Sequence, residues 1–206
     1  MDIFFILNYN TVRKKKEGEQ MEEIIKERLK STLSEKRYNH SLAVMQRCEE
    51  LAKIYGEDVE KARLIGLAHD VAKEMKIDEV MKFIQEKQIQ FDETEMKNPG
   101  LWHAKIGARI CKDEFGFTQD MVQAVENHTT AKAGMDVLSQ ILFVADATGL
   151  DREWNDLDEY RKLSEENLLE TVIRIIELNI NRNIQKRKQI HPRSITARNA
   201  FLEVVK

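Results

Sequence analysis

The chain has 206 residues, 42% hydrophobic and 33% charged, a balance that supports one substantial core and argues against a disordered protein. A net charge of −3 and a pI near 6.0 leave no global basic field, so no nucleic-acid partner is expected. Cys48 and Cys111 stand far apart with no CxxC spacing. They read as reduced thiols of a cytoplasmic protein, not as a disulfide framework or a zinc ribbon.

In chain order, "MDIFFILNYN" is apolar but lacks a basic segment before it, and it is too short for a signal peptide or a membrane span. With the polar "RKKKEGEQ" that follows, residues 1–20 read as a poorly ordered extension, and residues 21–206 as one domain. No other segment is apolar enough over a sufficient length to cross a bilayer, so no membrane partner is expected. Leu42, Met45, Cys48, Leu51, Ala52 and Tyr55 recur at helical spacing. "YGED" at 55–58 then supplies a glycine stop and an aspartate cap. Leu64, Leu67, Ala68 and Val71 form a second stripe, running through "LIGLAHDVAKEM" at 64–75. "NPGL" at 98–101 is a turn before "WHAKIGARICKDEF", and "TTAKAG" at 129–134 is a loop after "MVQAVENH". Leu138, Ile141, Leu142 and Ala145 make a third stripe, and "ENLLETVIRIIELNI" carries a fourth. "NRNIQKRKQ" at 181–189 reads as the solvated face of a late helix, with an anion-contacting strip as the alternative. "IHP…ARN" reads as packing at the start of the last helix, where His191 has a base or ribose as its alternative contact. Strand-type alternation is nearly absent. The fold class is therefore all-α, a compact single-domain bundle of about nine helices.

The dipeptide His69-Asp70 at the end of an apolar run raises a chemical question, because a buried carboxylate needs compensation. Chance alone gives roughly 0.3 such dipeptides in a chain of this composition, so a plain cap or a lysine pair is the simple explanation. The remaining histidines strengthen a different one. His40 follows "KRYN", His103 sits early in its helix, His128 ends "MVQAVENH", and Asp146 ends "QILFVAD". Each lies near an end of an apolar helical segment, where side chains of several helices converge. Imidazole with carboxylate suits iron, manganese, zinc or cobalt better than magnesium or calcium. Arg37 lies three residues before His40 and Lys73 three after Asp70, while Arg152 follows Asp146 by six. Cations beside a metal cleft suit a phosphate substrate.

The pattern H…HD…H…H…D in an all-α chain resembles the HD-domain metal-dependent phosphohydrolases. Within that superfamily, "KRYNHSLAV", "LAHDVAKE", "LWHAKIGA", "NHTTAKAGM", "FVADATGLDR" and "IHPRSITARN" resemble the YqeK family of symmetrical bis(5′-nucleosyl)-tetraphosphatases. The resemblance implies a metal, iron first and manganese or cobalt next, held by His40, His69, Asp70 and Asp146. It implies a dinucleoside polyphosphate or nucleoside diphosphate ligand contacted by Arg37, His40, Asp70, His103, His128, Thr129 and Arg152. Asp70, Lys73 and His103 are the expected catalytic residues. His103 and His128 become ligands instead if a second metal binds. A homodimer is a further implication of the family. One departure stands out: Gly149-Leu150 occupy the place of an acidic Glu-Pro step, so the loop that presents Arg152 must differ. Three rivals follow: hydrolysis of another nucleotide, a catalytically idle nucleotide-binding HD module, and a purely structural helical domain.

Overall fold

In the computed structural model the described residues are 3–205, with side chains from residue 18 onward. Of the extension expected over 1–20, only residues 1 and 2 lie outside the described residues; from Ile3 onward its backbone is the start of the first helix. Among the described residues there are eleven α-helices and no strand. They are α1 (Ile3–Thr32), α2 (Glu35–Tyr55), α3 (Val59–Ala68), α4 (Ile77–Lys87), α5 (Glu93–Met96), α6 (Trp102–Phe115), α7 (Gln119–Asn127), α8 (Val137–Thr148), α9 (Leu157–Glu166), α10 (Leu168–Gln185) and α11 (Pro192–Val204). A 3₁₀ turn over Pro99–Leu101 leads into α6.

The two helices beyond the expected nine are accounted for by short or closely joined segments. α5 has four residues, too few for a periodic signal. Between α9 and α10 only Asn167 intervenes, ending one helix and capping the next through its side chain on the Glu170 amide. Elsewhere the expected punctuation is present. Gly56 ends α2 in the left-handed region at φ 70°, and the Asp58 carboxylate accepts from the Glu60 and Lys61 amides to begin α3.

Eight of the twelve residues of α8 are apolar, and its buried side chains include Leu138, Ile141, Leu142, Phe143, Val144 and Ala145. A helix apolar on all sides belongs in the middle of a bundle. Accordingly α8 touches α2, α3, α7, α9 and α10, and it carries Asp146 in its last turn. α2 and α3 pack closely because Gly66 has no side chain; a Cβ there would stand 2.8 Å from the Met45 Cα. Buried Arg47 ties α2 to α9 through Glu165, Ser164 and the Arg161 carbonyl. No helix among the described residues is long and apolar enough to cross a membrane.

Candidate metal and phosphate site

α3 stops at Ala68, while His69 keeps helical angles (φ −54°, ψ −36°) and the chain turns tightly through 69–74. The Lys73 amide donates to the Asp70 carbonyl at 2.9 Å, which fixes that turn. Its far end is pinned where Glu74 accepts from the Ser34 hydroxyl at 3.0 Å and from the Ser34 amide, at the start of α2. His69 and Asp70 are thereby buried between α2, which brings Arg37 and His40, and the ends of α7 and α8, which bring His128 and Asp146.

Three imidazoles are oriented alike. Nδ1 of His69 donates to the Gly66 carbonyl at 2.7 Å, that of His128 to Val125 at 2.7 Å, and that of His103 to Gly100 at 2.9 Å. Each acceptor lies three residues upstream, and in each neutral ring this leaves the Nε2 lone pair turned inward. Nε2 of His103 and Nε2 of His128 face one another at 3.2 Å, and both lie near Asp70 Oδ1, at 3.3 and 3.7 Å. Nε2 of His69 is buried with no hydrogen-bond partner, 3.7 Å from Asp70 Oδ2 and 3.9 Å from Asp146 Oδ1. Inward lone pairs facing each other beside carboxylates repel unless a cation stands between them. The residues present therefore fit a metal ion.

Two groups share His69. His40, His69 and Asp146 bring one ligand atom each within 4.8 Å of one another, and so do His69, Asp70 and His128. A third group, Asp92, Glu95 and His191, is occupied differently. Asp92 and Glu95 cap α5 reciprocally, and Lys105 sits on Glu95 at 2.6 Å.

Charge is arranged to match. Burial disfavours the ionised form of Asp70 and Asp146, but both carboxyls are held far below the usual range. The neighbours responsible are His69 for Asp70, its imidazolium forming in the acid range where that carboxyl titrates, and the His40 hydrogen bond for Asp146. Burial pushes His69 down to about 4, and burial with the charges of His128 and Lys73 pushes His103 down to about 3. Burial acts the same way on His40, but the hydrogen bond and charge of Asp146 outweigh it and raise its pKa.

The cations expected from spacing all reach this centre. Arg37 donates to Asp70 Oδ2 at 3.2 Å, Lys73 Nζ lies 3.0 Å from His103 Nε2, and Arg152 donates to the Asp146 carboxylate and lies 3.2 Å from His40 Nε2. The altered Gly149-Leu150 loop still delivers Arg152, because the Gly149 carbonyl accepts from the Arg152 amide and from Arg161 at 2.8 Å. Asp151 is a residue that the sequence reading missed: it accepts from His40 Nδ1 at 2.8 Å. Nothing in its spacing marks it.

Beside the centre opens a cleft of about 340 Å³. Its lining includes His128, Thr129 and Asp146 together with Arg182, Lys186, Lys188, His191 and Ser194. Expected to lie on solvent, the basic segment is exposed at Lys186 and Lys188, but it also forms a wall of the cleft. His191 caps α11 by accepting from the Arg193 amide, in keeping with its expected packing role.

An all-α bundle with a buried histidine–aspartate centre is the architecture of an HD domain, and the model of the HD domain family matches residues 37–150. The chain is 32% identical to the symmetrical bis(5′-nucleosyl)-tetraphosphatase of Bacillus subtilis over 165 residues, 80% of this chain and 88% of that one. It is likewise 32% identical to the protein of the same name from Halalkalibacterium halodurans, over 84% and 93% of the two chains. Among solved structures, a "predicted HD superfamily hydrolase involved in NAD metabolism" from Clostridium acetobutylicum superposes with a TM-score of 0.84. It is 34% identical, covering 88% of this chain and 96% of that one. The chain belongs to the HD-domain family and, within it, to the YqeK-like branch. It is an enzyme, a hydrolase of the HD type.

Proposed function

We propose that this enzyme cleaves bis(5′-nucleosyl) tetraphosphates symmetrically, converting diadenosine tetraphosphate and water into two ADP. One observation carries the reading: inward-facing Nε2 atoms and two carboxylates adjoin a cleft also lined by Arg182, Lys186 and Lys188. The names of the two relatives support the substrate.

In this reading His40, His69, Asp70 and Asp146 hold iron, with manganese or cobalt as substitutes, and His103 and His128 are within reach of a second ion. Such an ion, when bound, brings the pKa of a water molecule towards ~7 and offsets charge on phosphoryl oxygens. The rest falls to the chain. Asp70, kept ionised, orients the attacking water by accepting its hydrogen bond, and the water's proton leaves to bulk solvent. Water oxygen bonds to the second or third phosphorus, and the bond from that phosphorus to the oxygen bridging the two breaks. Arg37 and Arg152 hold the equatorial oxygens, where charge grows in the transition state. Lys73 and His103 stand together on the leaving phosphate. His128 and Thr129 fix the bound half in the cleft. The two buried, unpaired cysteines suit a reducing cytoplasm.

Product analysis tests this. The iron-loaded protein is incubated with diadenosine tetraphosphate and the products are resolved by ion exchange. ADP as sole product, lost in Asp70→Ala, is the expected result. AMP with ATP would move the cleaved bond. Faster turnover of a deoxynucleoside triphosphate or a guanosine polyphosphate would replace the substrate.

A further inference from the structure

Arg182, Lys186, Arg187 and Lys188 fall within seven residues at the end of α10, and none makes an ion pair among the described residues. Their neighbours differ. Arg174 pairs with Glu159 and Glu170, and Arg198 pairs with Glu177. Cations at a helix C-terminus complement its dipole, but that effect ends with the last turn and does not require a shared cavity. Lys188 lies beyond the helix, yet Arg182, Lys186 and Lys188 all line the cleft that contains Asp146, His128 and Thr129. Arg182 is also held in place. Its guanidinium lies 5.1 Å from the centre of the Trp154 ring, and the Trp154 indole donates to the carbonyl of Ala147, the residue after Asp146. A fixed cation and two exposed ones, unneutralised and lining a cavity, suit a chain of phosphates better than a single one.

On the reading of the site given above, we propose that Arg182, Lys186 and Lys188 form a second anion subsite. It holds the outer phosphate of the departing nucleotide half, beyond the one on Lys73 and His103, and selects long polyphosphates over mononucleotides. Arg37 and Arg152 sit on the carboxylates of the metal centre and can serve only the phosphates near it. The negative charge beyond them needs other partners, and these three residues are in the same cleft.

The test is a chain-length series. Affinities of the metal-loaded full chain for pyrophosphate and tripolyphosphate are measured by calorimetry, alongside steady-state hydrolysis of diadenosine tetraphosphate. In the variant Arg182→Gln/Lys186→Gln/Lys188→Gln we expect roughly ten-fold weaker tripolyphosphate binding, the product of about two-fold for each of three contacts. Pyrophosphate binding should change little, and KM for the dinucleotide should rise with kcat almost unaltered. Since Arg182 packs on Trp154, Lys186→Gln/Lys188→Gln, both at exposed positions, repeats the test without touching the stack, with about a four-fold loss expected. A control variant, Lys53→Gln/Lys82→Gln/Lys162→Gln, removes as much charge at side chains that are 61%, 77% and 79% exposed and outside the cleft. Undiminished tripolyphosphate binding in the cleft variants, or an equal loss in the control, would overturn the proposal. Selective loss of tripolyphosphate binding in a protein that leaves the dinucleotide uncleaved would sustain the subsite and refute the reading of the reaction.

Discussion

His40 stands between two carboxylates, Asp146 at its Nε2 and Asp151 at its Nδ1, and the second of these decides which nitrogen faces the centre. A carboxylate behind a ligating imidazole fixes its tautomer and raises its basicity. Asp151→Ala should therefore weaken metal affinity by roughly 10–100-fold with the fold intact, as read by competition with a chelating dye. Asp151→Asn, which keeps an acceptor, should fall in between. The buried histidines also set an acid limit on stability. His69 and His103 stay neutral in the folded chain down to about 4 and about 3, but unfolded they take up protons near the ordinary ~6.5. Unfolded chains then bind more protons as pH falls through that window. Stability from these two groups is complete above ~6.5 and is lost progressively toward pH ~4. His40 has the opposite sign, its contribution fading as pH rises through its elevated folded value. Because the two large depressions outweigh it, the thermal midpoint of chelator-treated protein should fall between pH 7 and pH 4. A midpoint that held or rose over that range would contradict this assignment. Asp70 and Asp146 add little to this slope and with the same sign, since their depressed values begin to matter only below about pH 5.

At the level of elements, the crossing of α2 over α3 depends on Gly66, which also supplies the carbonyl that orients His69. A methyl group there would press on the Met45 backbone at 2.8 Å and on the Cys48 sulfur at 3.0 Å. Gly66→Ala should cost about 1–3 kcal/mol in urea denaturation, because the obstacle is backbone and cannot rotate away. Gly107, inside α6, makes the contrast. Its added Cβ would meet Val71 at 3.4 Å and the His69 carbonyl at 3.5 Å, and helix propensity favours alanine by up to about 1 kcal/mol. Gly107→Ala should be neutral or stabilising, and an equal loss at both glycines would refute the packing argument. Helical identity was legible wherever an apolar period ran for three turns, as in α2, α8 and α10. It failed where tertiary contacts substitute for periodicity. α5 is four residues long, held by its Asp92–Glu95 capping box and by the Trp102 indole donating to Glu95 at 2.7 Å.

Across the whole molecule, what could be read from the sequence was whatever sits at helix ends. His40, His69, Asp70, His103, His128 and Asp146 come from five separate segments, yet each lies near one end of an apolar helical run, so their convergence was foreseeable. Asp151 and Arg182 were not. Asp151 follows the unfamiliar Gly149-Leu150 step, and only the folded loop brings it behind His40. Arg182 looked like part of a solvated face because its position on the cleft wall depends on how α10 lies against α8. The central claim is that the histidine–aspartate centre is a metal site that drives phosphate hydrolysis. Anaerobic titration of iron(II) into chelator-stripped protein, with diadenosine tetraphosphate turnover followed at each addition, tests it most directly. Activity should be near zero at the start and rise in proportion to bound iron, saturating at one ion per chain, or at two if His103 and His128 hold a second. Turnover that survives complete chelation and ignores added iron would contradict the claim.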